Sequence, residues 1–218
     1  MARSFVTVTA DPAHEPLLDA FHGGIYRAAF ERQREPLDVW RRALRGELPY
    51  RQTIRLVLDG DEVIAGISYE RYPRSGCGLV TYMVVAPGAR RTGLGERLLG
   101  DAAAELYAGG AAAVFGEVDD PRRPQTAPAE AWARLARNQR WGARVLDARY
   151  VQPALGSGLA RDRGLVLMFL AGASPPPDAL DGRIVRALVE ELYEVTEGGP
   201  PDEEIAIPAR VPLVVLAP

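Results

Sequence analysis

The sequence predicts an α/β fold: one mixed central sheet flanked by helices, in the order β-α-α-β-β-β-α-β-α-β-β, followed by a C-terminal helix and tail. Three observations predict it. Short alternating or apolar runs interleave with stretches whose apolar residues recur at helical spacing. Asp59-Gly60, with Asp61 after it, joins two such runs as a hairpin, so they pair antiparallel. From Gly78 to Val118 a strand, a helix and a second strand follow in turn, and strands joined by a crossover helix lie parallel.

Taken in order, Phe5 to Thr9 alternates as a strand. Leu18, Phe21, Ile25 and Ala29 recur at i, i+3, i+7 and i+11, an amphipathic helix. Pro36 sits where a first helical turn tolerates it, and Leu37, Trp40 and Leu44 continue a second helix. Thr53–Leu58 and Glu62–Glu70 are the hairpin strands, and Gly78–Val85 is the next. Leu94, Leu98, Ala102 and Leu106 mark a helix, and Ala112–Val118 returns as a strand. Pro128–Trp141 reads as a helix that Gly142 ends. Arg149–Leu155 and Leu165–Ala171 are expected as the two final strands. Ser174-Pro175-Pro176-Pro177 is a stiff break. After it, Leu180, Ile184, Leu188 and Leu192 predict another helix, and 204–216, with two prolines, an edge strand or extended arm.

Composition narrows the function. The 218 residues carry 25% charged and 47% hydrophobic side chains and a net charge of −3, which suits a globular domain and gives no field for nucleic acid or anionic membrane. The single cysteine, Cys77, has no partner for an internal disulfide and reads as a small apolar filler. No apolar run is long enough to span a bilayer and no signal-peptide pattern opens the chain, so a soluble cytoplasmic protein is expected. His14 and His22 lack carboxylate or cysteine companions, so no metal is implied. All 26 basic residues are arginine.

The most specific stretch runs from Val85 to Gly95. An apolar strand leads through Pro87, Arg90, Arg91, Thr92 and two glycines, Gly93 and Gly95, into Glu96-Arg97-Leu98-Leu99, the start of a helix. The first N–H groups of a helix have no internal acceptor, and its dipole leaves that end positive. With two arginines beside it, this is an anion site, suited to pyrophosphate. Leu98 stands where a dinucleotide fingerprint needs its third glycine, and the chain has no lysine for a P-loop.

Val85, Pro87, Arg90, Gly93 and Gly95 are in register with Val-x-Pro-x-x-Arg-x-x-Gly-x-Gly, which resembles the acyl-CoA signature of the GNAT superfamily of N-acetyltransferases. The element order over residues 5–171 resembles that fold as well. The resemblance implies a GNAT acyl-CoA N-acyltransferase domain over 1–172, with 173–218 a helix and tail packed on it or at a dimer contact. It implies two parallel strands that splay near a bulge and admit the thioester of acetyl-CoA. Met83, Val84 and Val85 would pair with the pantetheine arm, and Arg90, Arg91, Thr92, Gly93, Leu94, Gly95 and Glu96 would hold the pyrophosphate. A backbone N–H near Val85 would polarise the thioester oxygen without a metal.

The reaction so implied is direct attack by an amine, with a base for the amine proton and an acid for the leaving thiolate. Many members carry the acid as a tyrosine four residues before the glycine that ends the last helix; here Asn138 stands there, and Ala131 stands where an asparagine is usual. Tyr150 and Tyr82 are the nearest replacements by placement, and a water could also serve. Glu117, at the end of the second parallel strand, is the first candidate base, and Glu70 the second. Asp119 and Asp120 are available to attract a cationic amine, or to form a solvated turn. Tyr26, Phe30, Glu31 and Trp40 are candidate walls of an acceptor pocket, equally suited to core packing. Tyr150-Val151-Gln152-Pro153 resembles a run found in some bacterial members. The expected function is acetyl transfer from acetyl-CoA to a primary amine of a small molecule, with a homodimer a common assembly in that family. The alternative is a non-catalytic acyl-CoA-binding regulatory protein.

Overall fold

Where the sequence alternates, strands form and stack into one sheet. The computed structural model describes residues 3–30, 34–123, 128–156, 158–172, 174–201 and 205–218. Among these, β1 (Arg3–Val8), β2 (Arg51–Asp59), β3 (Glu62–Tyr72) and β4 (Cys77–Val85) pair antiparallel in sequence order. The β2–β3 turn sets Asp59 opposite Glu62, with Gly60 at φ +62. β5 (Val114–Asp119) pairs parallel to β4, as the crossover predicts. β7 (Leu165–Phe169), β6 (Arg144–Leu146), β9 (Arg210–Val214) and β8 (Ala179–Asp181) complete the order β1-β2-β3-β4-β5-β7-β6-β9-β8.

The two faces separate by residue parity. Tyr69, Val80, Val114, Val118, Val166 and Met168 point to one face, where α4 (Leu94–Ala108) and α5 (Pro128–Arg140) bury Leu98, Ala102, Leu106 and Leu135 against them. Leu79, Phe115, Leu167 and Phe169 point to the other. There α6 (Gly182–Glu197) packs Val185, Leu188, Val189, Leu192 and Tyr193. The same face carries α1 (Glu15–Phe21), a π turn at His22–Tyr26, α2 (Arg27–Ala29) and α3 (Leu37–Leu44). Phe21, Tyr26 and Trp40 are fully buried there with Ile54 and Leu56. α6 is tied to the β3–β4 turn by Glu191, whose buried carboxylate accepts from the backbone N–H groups of Arg74 (3.0 Å) and Ser75 (2.7 Å).

Two expectations shift. The strand expected at Arg149–Leu155 is absent; the penultimate strand of the core is the shorter β6, directly after the turn at Gly142. Pro153 has no N–H for a ladder, Tyr150 turns inward, and Gln152 makes only an isolated bridge to Asp162. The tail becomes an internal strand despite Pro212. β9 pairs with β8 through Arg210–Pro212 and with β6 through Leu213 and Val214, so the proline falls where the strand changes neighbours.

Candidate active site

β4 and β5 stay together only over Gly78–Val80 and Val114–Gly116, then part. The cause is a bulge: Val80 faces Tyr69 and Tyr82 faces Ser68, leaving Thr81 as the extra residue. The Thr81 hydroxyl donates to the Ser68 carbonyl at 3.1 Å and fixes the bulge. Beyond the split, Met83 packs with the α4 face, Val84 is buried with Tyr82, and the Val85 carbonyl accepts from Arg90 Nε at 3.1 Å.

The loop after β4 ends in an open helix terminus. Arg91 has φ +62 and Gly93 φ +81, two left-handed positions on either side of Thr92 that swing the chain onto α4. Only at Gly93 does glycine relieve that strain. A Cβ there would meet nothing within 4 Å, so a ligand has room to approach the backbone. Among the described residues no side chain caps α4, which leaves the first N–H groups to an outside acceptor. Thr92 Oγ1 donates to the Ala89 carbonyl at 2.7 Å, holding the loop, and Glu96 is exposed in the first turn. Leu94 is buried as the anchor. A Cβ on Gly95 would come within 3.0 Å of the Trp141 ring, so α5 docks against this turn. Arg137 lies over the same indole, and its pKa is lowered by burial and by the nearby charges of Arg134, Arg90 and Arg140. The loop and α5 therefore bring Arg90, Arg134, Arg137 and Arg140 close together.

On the face covered by α3 and α6 lies a cavity of about 200 Å³. Glu35, Glu70 and Glu117 line it from three separate segments, with the rings of Tyr50, Tyr72, Tyr82 and Tyr150 between them. Glu117 stands one residue past the last β4–β5 pair, so the cavity reaches the split. Its Oε1 accepts from the Tyr150 hydroxyl and its Oε2 from Gln152 Nε2 at 2.7 Å. Burial raises its pKa, against the lowering effect of those two bonds. The Tyr150 pKa is raised by burial and by the Glu117 charge.

Glu70 is 2% exposed; Oε2 accepts from the Tyr72 hydroxyl and Oε1 has no hydrogen-bond partner among the described residues. Its pKa is raised by burial and then by the charge of Glu35. Glu35 accepts from Trp40 Nε1 at 2.7 Å, while its backbone N–H donates to the Tyr26 hydroxyl at 3.0 Å. Burial pushes its carboxyl up to about 7.

The structure thus brings Glu117, Glu70, Tyr150 and Tyr82 to one cavity. Asp119 and Asp120 do not join them: Asp119 pairs with Arg134, and buried Asp120 is held by Arg122 at 2.8 Å. Tyr26 and Trp40 lie behind the wall in a ring cluster with Phe30, at centroid distances of 4.6 Å to each other and 5.3 Å from Tyr26 to Phe30. Glu31 falls outside the described residues. Asn138 lies on α5 and is buried. Glu35, Tyr50, Tyr72 and the α6 residues Leu192, Val195 and Thr196 line the cavity without having been singled out from sequence. Gln152 and Pro153 did carry a sequence signal, through the run that begins at Tyr150.

A model of the acetyltransferase (GNAT) family matches residues 18–127, half of the chain. The chain belongs to that family. Its solved relatives share the fold. A protein from Bacteroides thetaiotaomicron described as a GNAT-family acetyltransferase has 19% identity over 89% of this chain and 98% of its own, with a TM-score of 0.63. The ribosomal-protein-S18-alanine N-acetyltransferase from Escherichia coli has 17% identity over 81% and 98%, at 0.52. A GNAT protein from Desulfovibrio desulfuricans has 19% over 79% and 100%, at 0.51. No curated protein matches. This GNAT protein is an acyl-CoA-dependent N-acetyltransferase, and its chemistry is acyl transfer from acetyl-CoA. The uncapped α4 terminus, the open backbone at Gly93 and the arginines around it fit that cosubstrate.

Proposed function

We propose that the enzyme acetylates a primary amine of a small molecule bound in the cavity, by direct attack. The observation that carries this is the cavity's position: a buried, acid-lined space that opens where β4 and β5 part. Its volume, roughly that of seven waters in the liquid, suits a compact acceptor rather than a peptide.

Bound acetyl-CoA supplies the activated acyl carbonyl. Arg90, Arg91 and the N–H groups at the start of α4 hold its phosphates, and Met83 to Val85 face its pantetheine arm. Glu117 takes the proton that the attacking amine loses. Once Glu117 is neutral, the charge that holds the Tyr150 proton is gone, and Tyr150 delivers that proton to the departing sulfur. The phenol then recovers its proton from Glu117, so one proton has moved from nitrogen to sulfur. Binding of acetyl-CoA followed by thiol release with an amine panel tests the reading. A chain that bound acetyl-CoA and released no thiol beyond the background with any amine would refute it.

A further inference from the structure

The three carboxylates of the cavity exceed what a single amine needs. Glu35, Glu70 and Glu117 are each fixed by neutral donors: Trp40, Tyr72, and Tyr150 with Gln152. Among the described residues none of the three is in an ion pair. The one basic lining residue among those described, Arg42, is nearly half exposed and lies 3.6 Å from Glu47 at the rim. Three acids, two of them less than a tenth exposed, are costly to bury in their ionised form unless a cation compensates them. Glu70 Oε1, without a hydrogen-bond partner among the described residues, is the most direct sign of a missing partner. Around the acids, tyrosine rings and the side chains of Val39, Leu79 and Leu192 offer surface to methylenes and faces to ammonium groups.

Resting on the acetyltransferase reading, we propose that the acceptor is a short aliphatic diamine. One nitrogen faces Glu117 at the split and reacts. The other remains an ammonium, held between Glu70 and Glu35. One charge can satisfy only part of the acidic lining, whereas two leave Glu117 free to serve as the base. An acceptor bearing its own carboxylate is disfavoured, because among the described residues only Arg42, at the rim, is a basic lining residue. An aryl amine is uncharged at neutral pH and gains nothing from Glu35.

Calorimetric titration of the full chain, with and without saturating CoA, tests this with 1,4-diaminobutane, n-butylamine and 4-aminobutanoate. The diamine is expected to bind at least tenfold more tightly than butylamine, with 4-aminobutanoate weakest. Glu70→Gln and Glu35→Gln are expected to narrow the diamine preference to less than threefold, while CoA still binds, which shows that each variant is folded. Equal affinity for the diamine and butylamine would overturn the proposal, as would tight binding of 4-aminobutanoate. CoA binding with no amine bound would overturn it too, yet leave acyl transfer standing. Failure of CoA itself to bind would instead strike the acetyltransferase reading, and the CoA-free titration would still decide what the cavity accepts.

Discussion

The hydroxyl of Tyr150 donates to Oε1 of Glu117 across 33 residues of chain, joining the segment after β6 to the end of β5 where that strand leaves β4. In the proposed mechanism this pair couples the two proton transfers an amine acetylation needs, from groups that touch each other. Removing the base should therefore be severe: Glu117→Gln keeps the hydrogen-bond acceptor but not the proton acceptor. We expect kcat to fall by about 100-fold or more, with acetyl-CoA affinity unchanged in an equilibrium titration. A wild-type rate would remove Glu117 from the mechanism.

Tyr150→Phe predicts a different signature. The Tyr150 bond lowers the Glu117 pKa, against the larger effect of burial. Loss of that bond disfavours the carboxylate and moves the pKa further up. Because the base must be ionised, the acid limb of kcat/KM shifts to higher pH, and activity at pH 6 suffers more than activity at pH 8. A pH profile of the variant that drops in height without moving would mean Tyr150 does not act on Glu117.

The sequence made some of this legible. The β2–β3 hairpin follows from Asp59-Gly60, the parallel β4–β5 pair from a crossover helix, and the anion loop from Arg90 to Gly95, because each is set by residues close in sequence. The cavity is set otherwise. Glu35, immediately before Pro36 and a helix, looks like any acid placed to favour a helix start; only the packing of Trp40 and Tyr26 over it makes it a buried carboxyl. β6 was misplaced for a related reason. Three residues carry little periodicity, and its pairing comes from β7 and β9, remote in sequence.

Glu35 gives the stability of the protein a pH dependence of unusual sign. Its carboxyl ionises near pH 7 in the folded chain but in the ordinary glutamate range when unfolded. Between these values the unfolded chain has released the proton and the folded one has not. Stability therefore declines as pH rises through that window, by up to something on the order of 3 kcal/mol. Glu35→Gln removes this contribution. It should raise Tm at pH 8 relative to the wild type and leave it nearly unchanged at pH 4.5, as thermal unfolding across pH can check.

The cosubstrate loop should respond to charge and to backbone separately. Arg90→Ala is expected to weaken acetyl-CoA binding about three- to tenfold at low salt and by less at high salt, since exposed charges are screened. Gly93→Val places a β-branched residue at φ +81, which costs roughly 1–2 kcal/mol, and also narrows the approach to the α4 N–H groups. Its loss of acetyl-CoA affinity should therefore persist at high salt. Parallel titrations at two ionic strengths separate the two causes.

The C-terminal helix gives the last test, because α6 supplies one wall of the cavity through Leu192, Val195 and Thr196 while lying away from the glycine loop. Val195 is half-buried, so a larger side chain there can project into the cavity without emptying or overfilling the packed core. Val195→Phe should therefore take up acceptor space and leave the α4 terminus untouched. We expect KM for the amine to rise roughly tenfold or more, with the acetyl-CoA dissociation constant unchanged. If steady-state kinetics showed acetyl-CoA affinity falling and the amine KM unmoved, the acceptor would have to bind elsewhere, and α6 would be only a brace for the sheet.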